Sequence, residues 1–314
     1  MRALVVTNMP ATPERPARGR FVRDQVAALQ RLEGVEVELF AFPPGLRSYP
    51  RAALELRRRF RGERFDVVHA HFGLTAWPAL ALRGAPHVVT FHGTDLAHPR
   101  SRRLSLAALP LLALAAAASA ELARRVPGAG SRRRVAVLPC GVDLERFRPL
   151  PRGEARARLG LAPDEPLVLF PADPARAEKR ADHARAVVDG RARLLTLGEV
   201  DPDEVPWWVN AANAVVIPSE REGFGLAVLE ALACDVPVLA TPTGIAPLAL
   251  EGVEGALCAA FDEARWRAAL APHLAASDPR VAGRARAELF SVERMAERVA
   301  VAWRAVAAEA GGTA

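Results

Sequence analysis

The chain has 314 residues, of which 51% are hydrophobic and 25% are charged, which excludes a disordered polymer and suits two globular domains. Its formal net charge is +6, but no basic motif is interleaved with aromatic residues, so nucleic acid is not the expected partner. The cysteines, Cys140, Cys234 and Cys258, are far apart in the sequence, which predicts reduced thiols in a cytoplasmic protein without a zinc site.

The first predicted element is a buried β-strand, Ala3 to Thr7, an apolar run too short to be the core of a signal peptide. A loop rich in Pro, Arg and Gly follows it, and apolar spacing then predicts a helix from Val22 to Leu32. A strand, a glycine-bearing loop and a helix together indicate an anion site, although the dinucleotide fingerprint GxGxxG is absent. An ordinary surface loop is the alternative interpretation.

A basic segment follows the second predicted strand, Val35 to Phe42. Between residues 49 and 64 arginines alternate with Leu54, Leu56 and Phe60, which is the pattern of an amphipathic helix. Such a helix can lie on an anionic membrane surface, and the same pattern is also typical of a solvated helix. The arginines are Arg51, Arg57, Arg58, Arg59, Arg61 and Arg64.

Histidines lie at the ends of the next two predicted strands, 65–71 and 87–91. His69 and His71 share one face of the first strand, but no third ligand has a metal-binding spacing, so we interpret them as packing or acceptor-side residues. His92 and Asp95 follow the second strand, at the carboxyl end where parallel sheets bind ligands. Both are therefore candidates for polar contacts with a ligand, and a structural histidine is the alternative.

The domain boundary is predicted after residue 150. Before it, the alanine-rich run from Leu104 to Ala120 contains Pro110 and two serines, which favours a buried helix over a membrane span. A strand is predicted over 135–138, and residues 151–166 are rich in Pro, Gly and charge, as linkers are. We therefore predict an N-terminal domain, 1–150, and a C-terminal domain, 151–290, followed by a final helical segment.

The second domain opens with a strand, Leu167 to Phe170, and a loop that contains Lys179, the only lysine in the chain. In a sequence that uses arginine for every other cation, this ammonium indicates that a compact point charge is needed at the carboxyl end of the strand. Chance survival of one lysine is the alternative. A strand from Arg193 to Gly198 and a short helix, 204–210, follow.

The central stretch of the sequence lies between Asn213 and Gly244. It predicts a strand, a charged loop with glycines, a helix from Leu226 and a second strand, which together make a parallel βαβ unit. The helix N-terminus would offer free N–H groups to an anion, and the carboxylates of Glu222 and Glu230 flank it as acceptors for hydroxyl groups. A diphosphate with sugars on both sides suits this layout, and a surface loop before a core helix is the alternative.

This stretch, PSEREGFGLAVLEALACDVPVLAT with Glu222 and Glu230 in place, resembles the signature of retaining GT-B glycosyltransferases of family 4, which use nucleotide sugars. The segments HGTD and LPCGVDLERFRP resemble other parts of the same family, so the resemblance covers nearly the whole chain. It implies an α/β fold of two Rossmann-like, doubly wound domains facing across a cleft, with the last helix, 291–314, crossing back onto the first domain. The sequence departs from the family at Asp235 and Ile245, where glycine is usual.

The resemblance also implies roles for single residues. Glu222 would face the donor sugar and Glu230 the ribose, while the backbone of the FGL sequence binds the diphosphate. His92 would approach the sugar, and residues 198–200, which include Glu199, would lie near the base. The implied catalytic residues are Glu222, His92 and Lys179. The implied donor-binding residues are Gly19, Arg176, Lys179, Gly198, Ser219, Gly223, Phe224, Gly225, Leu226, Ala227 and Glu230, with Arg20 and Asp95 as further candidates.

The implied reaction transfers a hexosyl group, with retention, from a UDP- or GDP-sugar to a hydroxyl of a lipid, glycan or small molecule. Lys179, Arg176 and the helix N-terminus would neutralise the leaving diphosphate, so we expect no cofactor beyond the donor and no metal. The protein would act in the cytoplasm or at the anionic inner face of the membrane, in cell-envelope glycan synthesis. The alternatives are a GT-B phosphorylase or epimerase, and a degenerate sugar-nucleotide-binding protein of the membrane surface without activity.

Overall fold

The computed structural model describes residues 1–127, 135–198 and 200–312. It contains two compact units, one formed by residues 1–141 together with the helix that begins at Val292, the other by Val142–Ser291. The boundary predicted from the sequence, after residue 150, lies further along the chain than the observed one. Arg280 and Arg284 account for the difference, because they donate hydrogen bonds of 2.9–3.0 Å to backbone carbonyls within 144–150 and so hold this segment on the second unit.

The described part of the first unit is built on parallel strands in the order β2-β1-β3-β4-β5-β6. The strands are β1 (Arg2–Thr7), β2 (Glu36–Ala41), β3 (Val67–His71), β4 (His87–Phe91), β5 (Leu114–Ala117) and β6 (Ala136–Val137). The helices are α1 (Arg20–Gln30), α2 (Ser48–Arg59), α3 (Ala76–Ala79), α4 (Thr94–Ala97), α5 (Pro99–Ala107) and α6 (Ala120–Arg124), with 3-10 turns at Gly73–Thr75 and Leu109–Leu111. Strands β3 and β4 are buried along their whole length, which is expected of parallel strands covered on both faces.

The alanine-rich run from Leu104 to Ala120 is not the single helix that its composition predicts. Helix α5 ends at Ala107, and the run then enters β5, which pairs with β4 on one side and β6 on the other. Ala116 and Ala117 are fully buried in this sheet. The helix preference of alanine is worth less than about 1 kcal/mol per residue, so backbone pairing on both sides and burial outweigh it.

The described part of the second unit is built on parallel strands in the order β11-β10-β9-β7-β8. The strands are β7 (Leu167–Phe170), β8 (Arg193–Thr196), β9 (Ala214–Ile217), β10 (Val238–Ala240) and β11 (Leu257–Cys258). The helices are α7 (Arg152–Arg158), α8 (Ala181–Val188), α9 (Val205–Ala211), α10 (Leu226–Ala233), α11 (Ala246–Ala249), α12 (Glu263–Ala275) and α13 (Arg284–Glu288), with a 3-10 turn at Ala177–Lys179. Helix α7 lies in the segment that its composition predicts to be a linker.

Both sheets have the same connectivity, in which the second strand lies on one side of the first strand and all later strands lie on the other. The strand order therefore reverses between β1 and β3 in the first unit and between β7 and β9 in the second. At such a switch point the two following loops leave the sheet in opposite directions and open a crevice at the carboxyl ends of the strands, where ligands bind. Each unit consequently has one place where a ligand site is expected.

The C-terminal helix, α14 (Val292–Gly311), belongs to the first unit. It buries Met295, Val299, Trp303 and Val306, whose spacing of three or four residues puts them on one face. These side chains join the apolar core formed with α1 and the sheet. Of the helices in the described ranges, none is both long enough and apolar enough to cross a membrane.

Candidate active site

An ion pair between Lys179 and Glu222 lies at the switch point of the second sheet. Lys179 follows β7 and Glu222 follows β9, so the two loops that leave the switch point meet through these side chains. The Nζ atom of Lys179 lies 2.7 Å from each carboxylate oxygen of Glu222, and Ser219 Oγ donates to Glu222 Oε1 at 2.7 Å. The side chains of Lys179 and Glu222 are only 14% and 10% exposed. Partial removal from water makes this pair stronger than a surface ion pair.

The loop that carries Lys179 is fixed by its neighbour, Arg180. Arg180 has a left-handed backbone, with φ of 55°, which turns the chain from the 3-10 turn into α8. Its guanidinium binds Asp182 of α8 at 2.7 Å and Glu220 of the other loop at 2.9 Å, and the hydrogen bond from Arg180 lowers the pKa of Asp182 to about 2. The N–H of Glu220 also donates to the carbonyl of Glu178 at 2.9 Å. The two loops are therefore tied together by backbone and side-chain contacts.

Glycines shape the amino end of α10. Gly225 caps this helix in a left-handed conformation, with φ of 88°. Gly244, in the loop after β10, has φ of 59°, and a Cβ atom there would lie 2.3 Å from the carbonyl oxygen of Phe224. The same carbonyl accepts a hydrogen bond of 2.7 Å from the N–H of Ile245. The close approach of this loop holds the turn before α10 in place, and the first N–H groups of the helix have no acceptor within the helix itself.

The ion pair and the amino end of α10 line one cavity of about 100 Å³. Its lining residues are Phe170, Pro171, Ala172, Lys179, Ile217, Ser219, Glu222, Gly225, Leu226 and Ala227. Pockets for drug-sized ligands measure about 300–1,000 Å³, so this cavity suits a group of the size of a phosphate rather than a whole nucleotide sugar. Of the predicted site residues, the structure thus brings Lys179 together with Ser219, Glu222, Gly225, Leu226 and Ala227.

Other residues predicted for the donor site are not in this lining. The Arg176 side chain is half-exposed and binds Glu178 Oε1 at 2.7 Å. Gly198 lies beside Asp173 of the loop after β7, Phe224 is buried, and Gly223 precedes it in the turn. Glu230 is half-buried one helical turn beyond Leu226 and shares its face of α10. Glu199 lies outside the described residues.

The two departures from the family pattern have local structural explanations. Asp235 has φ of 56°, a left-handed conformation that glycine adopts most easily. Its carboxylate accepts hydrogen bonds from the N–H groups of Gly283 and Arg284, at 3.1 and 2.8 Å, at the start of α13. Ile245 is buried, and its N–H donates the hydrogen bond to the carbonyl oxygen of Phe224 that holds the turn before α10. Neither side chain lines the cavity.

In the first unit, the predicted residue His92 lies in a cluster of rings beyond β3 and β4. Its Nε2 atom is 2.9 Å from Nδ1 of His71, and the two imidazoles stack with centroids 5.1 Å apart. The rings of Phe21 and Phe72 lie 4.9 and 4.8 Å from His92. Phe72 has φ of 72°, which is rare for an aromatic residue. A strained backbone held beside a predicted site residue is typical of ligand-binding positions.

Asp95 holds the backbone around this ring cluster in place through hydrogen bonds to its carboxylate. Its buried carboxylate accepts hydrogen bonds from the N–H groups of Gly73 at 3.0 Å, Gly93 at 2.8 Å and His92 at 3.3 Å. Burial raises the pKa of this carboxyl above its usual range. Gly73 has no space for a side chain, because a Cβ atom would lie 2.3 Å from Cβ of Ser105. Asp95 therefore ties the segment after β3 to the segment after β4.

Gly19 and Arg20 lie at the amino end of α1, which follows the first strand of the switch point in this unit. Gly19 caps the helix with φ of 65°, and a Cβ atom there would lie 2.2 Å from the carbonyl oxygen of Met9. The Nε atom of Arg20 lies 3.6 Å from a carboxylate oxygen of Asp24. The next residue is Phe21, so these positions adjoin the ring cluster around His92.

Comparison with known proteins decides the family. The model of Glycosyltransferase Family 4 matches residues 4–146, and the model of Glycosyl transferases group 1 matches residues 166–275. The D-inositol 3-phosphate glycosyltransferase of Actinosynnema mirum is 32% identical over 91% of this chain and 82% of its own length. The chain belongs to glycosyltransferase family 4. The resemblance found in the sequence is confirmed.

Solved structures similar to this glycosyltransferase share its fold. A sucrose-phosphate synthase from Thermosynechococcus elongatus superposes with a TM-score of 0.76 at 20% identity, over 98% of this chain and 100% of the other. The Anabaena protein HepE, in complex with UDP and glucose, superposes with a TM-score of 0.71 at 17% identity, over 96% and 99%. The prediction of two Rossmann-like, parallel-sheet domains of the GT-B class is confirmed.

Phe21 and Phe72 are residues of the glycosyltransferase that the sequence does not single out. Their position is the available signal. Phe72 directly follows β3, and Phe21 is the second residue of α1, the helix after β1, and the switch point lies between β1 and β3. Among the described residues, no three His, Cys, Asp or Glu side chains converge as they would around a metal ion.

Proposed function

We propose that this family 4 glycosyltransferase moves a hexosyl group from a nucleoside diphosphate sugar to a hydroxyl acceptor, with retention of the anomeric configuration. The proposal rests above all on the Lys179–Glu222 pair beside the amino end of α10. An ammonium group and free helix N–H groups suit a diphosphate, and a carboxylate beside them suits the hydroxyl groups of the attached sugar. This is the donor-binding arrangement that the family signature implies.

Lys179 is proposed to stabilise the departing nucleoside diphosphate. As the glycosidic bond breaks, negative charge grows on the diphosphate, so a fixed ammonium and the α10 dipole bind the transition state better than the ground state. The cavity is small and its ion pair is shielded from water, which strengthens this effect. We propose that these groups make a metal ion and any further cofactor unnecessary. Arg176 would contribute after exchanging its contact with Glu178 for one with the diphosphate.

Glu222 is proposed to hold the transferred sugar. Ser219 and Lys179 bind Oε1 and Lys179 also binds Oε2, so a sugar hydroxyl group would take the remaining lone pair of Oε2 or replace a contact of Lys179. Glu230, on the same helix face as Leu226, is proposed to bind the ribose. The similar protein HepE is in complex with UDP and glucose, which supports a nucleotide sugar as donor. Retention is proposed from the family signature in which Glu222 lies.

The acceptor is proposed to bind at the switch point of the first sheet. His92, half-buried between Phe21 and Phe72, offers a polar ring nitrogen within an aromatic surface, which suits a polyhydroxylated ring. Relatives are named D-inositol 3-phosphate glycosyltransferases, so an inositol phosphate is a suitable first acceptor for assays. Glycan and lipid acceptors with a free hydroxyl form the second panel.

The decisive test combines nucleotide binding with transfer. Titration calorimetry with UDP and GDP identifies the base, and transfer from the matching UDP- or GDP-hexoses is then followed with inositol 3-phosphate and the glycan and lipid acceptors. We expect Glu222→Gln to abolish transfer and Glu251→Gln, an exposed glutamate of the same unit, to keep it. If neither nucleotide binds, the degenerate-protein alternative is favoured. Sugar release that depends on free phosphate would favour a phosphorylase.

A basic groove in the first unit supports a second part of the proposal, association with an anionic membrane. A groove of about 1,030 Å³ lies along α2 and the segments before β3 and β4. Leu54 on its edge is 69% exposed, and the acid in its lining, Glu63, is already paired with Arg2. The arginines that line it are Arg57, Arg58, Arg61, Arg64 and Arg83. We propose that this protein is cytoplasmic and that its groove binds the anionic surface of the inner membrane leaflet.

Sedimentation with vesicles tests the membrane proposal. We expect binding to phosphatidylserine-containing vesicles that falls with salt, and none to phosphatidylcholine vesicles. Replacing the five groove arginines by glutamine should abolish sedimentation, whereas replacing five exposed arginines of the second unit should preserve it. Equal binding by both variants would contradict the proposal.

A further inference from the structure

Three histidines form a stacked column at the carboxyl ends of β3 and β4. His69 and His71 lie on β3 with ring centroids 4.7 Å apart, and His92, just after β4, stacks on His71 at 5.1 Å. His69 and His71 are 0% and 1% exposed, while His92 is half-buried. We refer to these three residues as the histidine column. It connects the core of the unit, at Trp303, with the ring cluster proposed to meet the acceptor.

Trp303 determines where His69 carries its proton. The indole Nε1–H is a donor only, and it lies 3.1 Å from Nδ1 of His69, so this nitrogen must accept. The proton of the neutral His69 ring is then on Nε2, which lies 2.8 Å from Oγ1 of Thr90 and donates to it. Because both ring nitrogens of His69 are used, the first ring of the column has a fixed orientation and a fixed tautomer.

The surroundings of the two ring nitrogens of His71 determine which of them carries the proton. Its Nε2 atom is buried and has no hydrogen-bond partner within the described part of the chain, whereas Nδ1 lies 2.9 Å from Nε2 of His92. A proton on Nε2 would be a buried N–H without an acceptor, which is rarer in proteins than a buried acceptor without a donor. The proton therefore belongs on Nδ1, where it is used in the bond to His92.

Burial keeps the rings of this column neutral. It lowers the pKa of His71 to about 3 and those of His69 and His92 well below the usual value for an imidazole. A neutral ring carries one proton only. Since Nε2 of His92 accepts from His71, the single proton of His92 is on Nδ1, for which the described residues offer no hydrogen-bond partner.

We propose that His71 is a positioning residue which, by donating its Nδ1–H to Nε2 of His92, holds His92 in the tautomer with the proton on Nδ1. His92 thereby presents a hydrogen-bond donor, and not an acceptor, to a bound substrate. Its partners there are oxygen atoms, such as those of sugar hydroxyl or phosphate groups. The consequence for catalysis rests on the proposed glycosyl transfer, but the tautomer itself does not.

NMR of the full chain labelled with ¹⁵N-histidine reads the tautomer directly, because protonated and bare ring nitrogens have well-separated chemical shifts. The chain has seven histidines, so His92→Asn is used to assign the signals of His92. We expect a protonated Nδ1 and a bare Nε2 at His92 in the wild type. A protonated Nε2 at this residue overturns the proposal.

Variants of His71 test whether it is the cause. His71→Leu removes the donor, and His71→Asn keeps an N–H close to the position of Nδ1. We expect His71→Leu to mix the tautomers of His92 and to lower kcat about tenfold, the effect of one hydrogen bond, with little change in the donor KM. His71→Asn should restore both the tautomer and kcat. An unchanged His92 signal in His71→Leu contradicts the proposal.

His87→Leu is the matched control. His87 is also a buried histidine of this sheet, at the start of β4, and its Nε2 lies 2.9 Å from the carbonyl oxygen of Leu82, outside the column. We expect this variant to lose stability but to keep the tautomer of His92 and kcat. An equal change in His87→Leu would assign the effect to general loss of packing and overturn the proposal. A bare Nε2 at His92 in a chain without transferase activity would instead refute only the proposed function.

Discussion

Replacing Glu222 by glutamine probes the Lys179–Glu222 pair directly, because it removes one charge and preserves the shape of the side chain. Both carboxylate oxygens lie 2.7 Å from Nζ of Lys179, and both side chains are largely shielded from water. A diphosphate that binds Lys179 must share the ammonium with this carboxylate and approach its negative charge. We therefore expect Glu222→Gln to bind UDP more tightly than the wild type while it fails to transfer sugar.

The expected gain in UDP affinity follows from the repulsion between the Glu222 carboxylate and the diphosphate. Two unit charges about 5 Å apart interact with about 3 kcal/mol at an effective dielectric constant of about 20. The small exposed part of these side chains and the counterions of the solution reduce this repulsion. We therefore expect Glu222→Gln to bind UDP more tightly by about 1.4 kcal/mol, which is a dissociation constant about tenfold lower. Lys179→Met loses charge-assisted hydrogen bonds worth about 1.5–3 kcal/mol and should bind UDP about ten- to a hundredfold more weakly.

Titration calorimetry with UDP at constant pH and salt measures both effects. Glu251→Gln is the control for a lost negative charge, because Glu251 is exposed in the same unit and does not line the cavity. The two site variants should change the affinity in opposite directions. If Glu222→Gln weakens UDP binding as Lys179→Met does, the carboxylate holds the ammonium in place for the ligand, and the argument from competition is refuted.

Two further predictions concern stability. Gly244→Ala should lower the unfolding free energy by about 3 kcal/mol, because it puts an alanine at a positive φ and places the new Cβ atom 2.3 Å from the carbonyl oxygen of Phe224. Gly252→Ala is the control, since Gly252 has φ of 72° but open space around it, and it should lower the unfolding free energy by about 1 kcal/mol. Calorimetric melts measure both. Burial lowers the pKa of His71 to about 3, so between pH 6.5 and 3 the unfolded chain binds a proton that the folded chain does not. Urea unfolding should therefore show stability falling below pH 6.5 by up to about 1.4 kcal/mol per pH unit for this histidine, with a smaller slope in His71→Asn.

In the second unit, the sequence predicts strands and site residues where apolar runs, glycines and charged residues follow one another closely along the chain. The apolar runs predict β7 and β9, and the sequence after their carboxyl ends carries Lys179 and the glycines before α10. The structure brings Lys179 and Glu222 into contact there. Strand order supplies the reason, because β7 and β9 are neighbours in the sheet although β8 separates them in sequence. A site at a switch point can therefore be predicted once a parallel sheet is assumed.

The features that the sequence does not predict depend on long-range contacts. The alanine-rich β5 becomes a strand only because β4 and β6 flank it. Residues 142–150 belong to the second unit because Arg280 and Arg284, far along the chain, bind their carbonyls. No local pattern of residues identifies such partners, since many solvated arginines occur in the same sequence.

The histidines of the first unit illustrate the same limit at the level of chemistry. Their sequence pattern, two alternating histidines on β3 and a third after β4, offers no metal-binding spacing and leaves packing and ligand contacts as the possible roles. Trp303, from the C-terminal helix, determines the tautomer of His69. His71, whose Nε2 has no hydrogen-bond partner among the residues that the structure describes, determines that of His92. The ring nitrogen of His92 that carries the proton is thus determined by His71, which meets His92 only because β3 and β4 are neighbours in the sheet. A site residue can be identified from a motif, but its protonation state requires the partners that folding supplies.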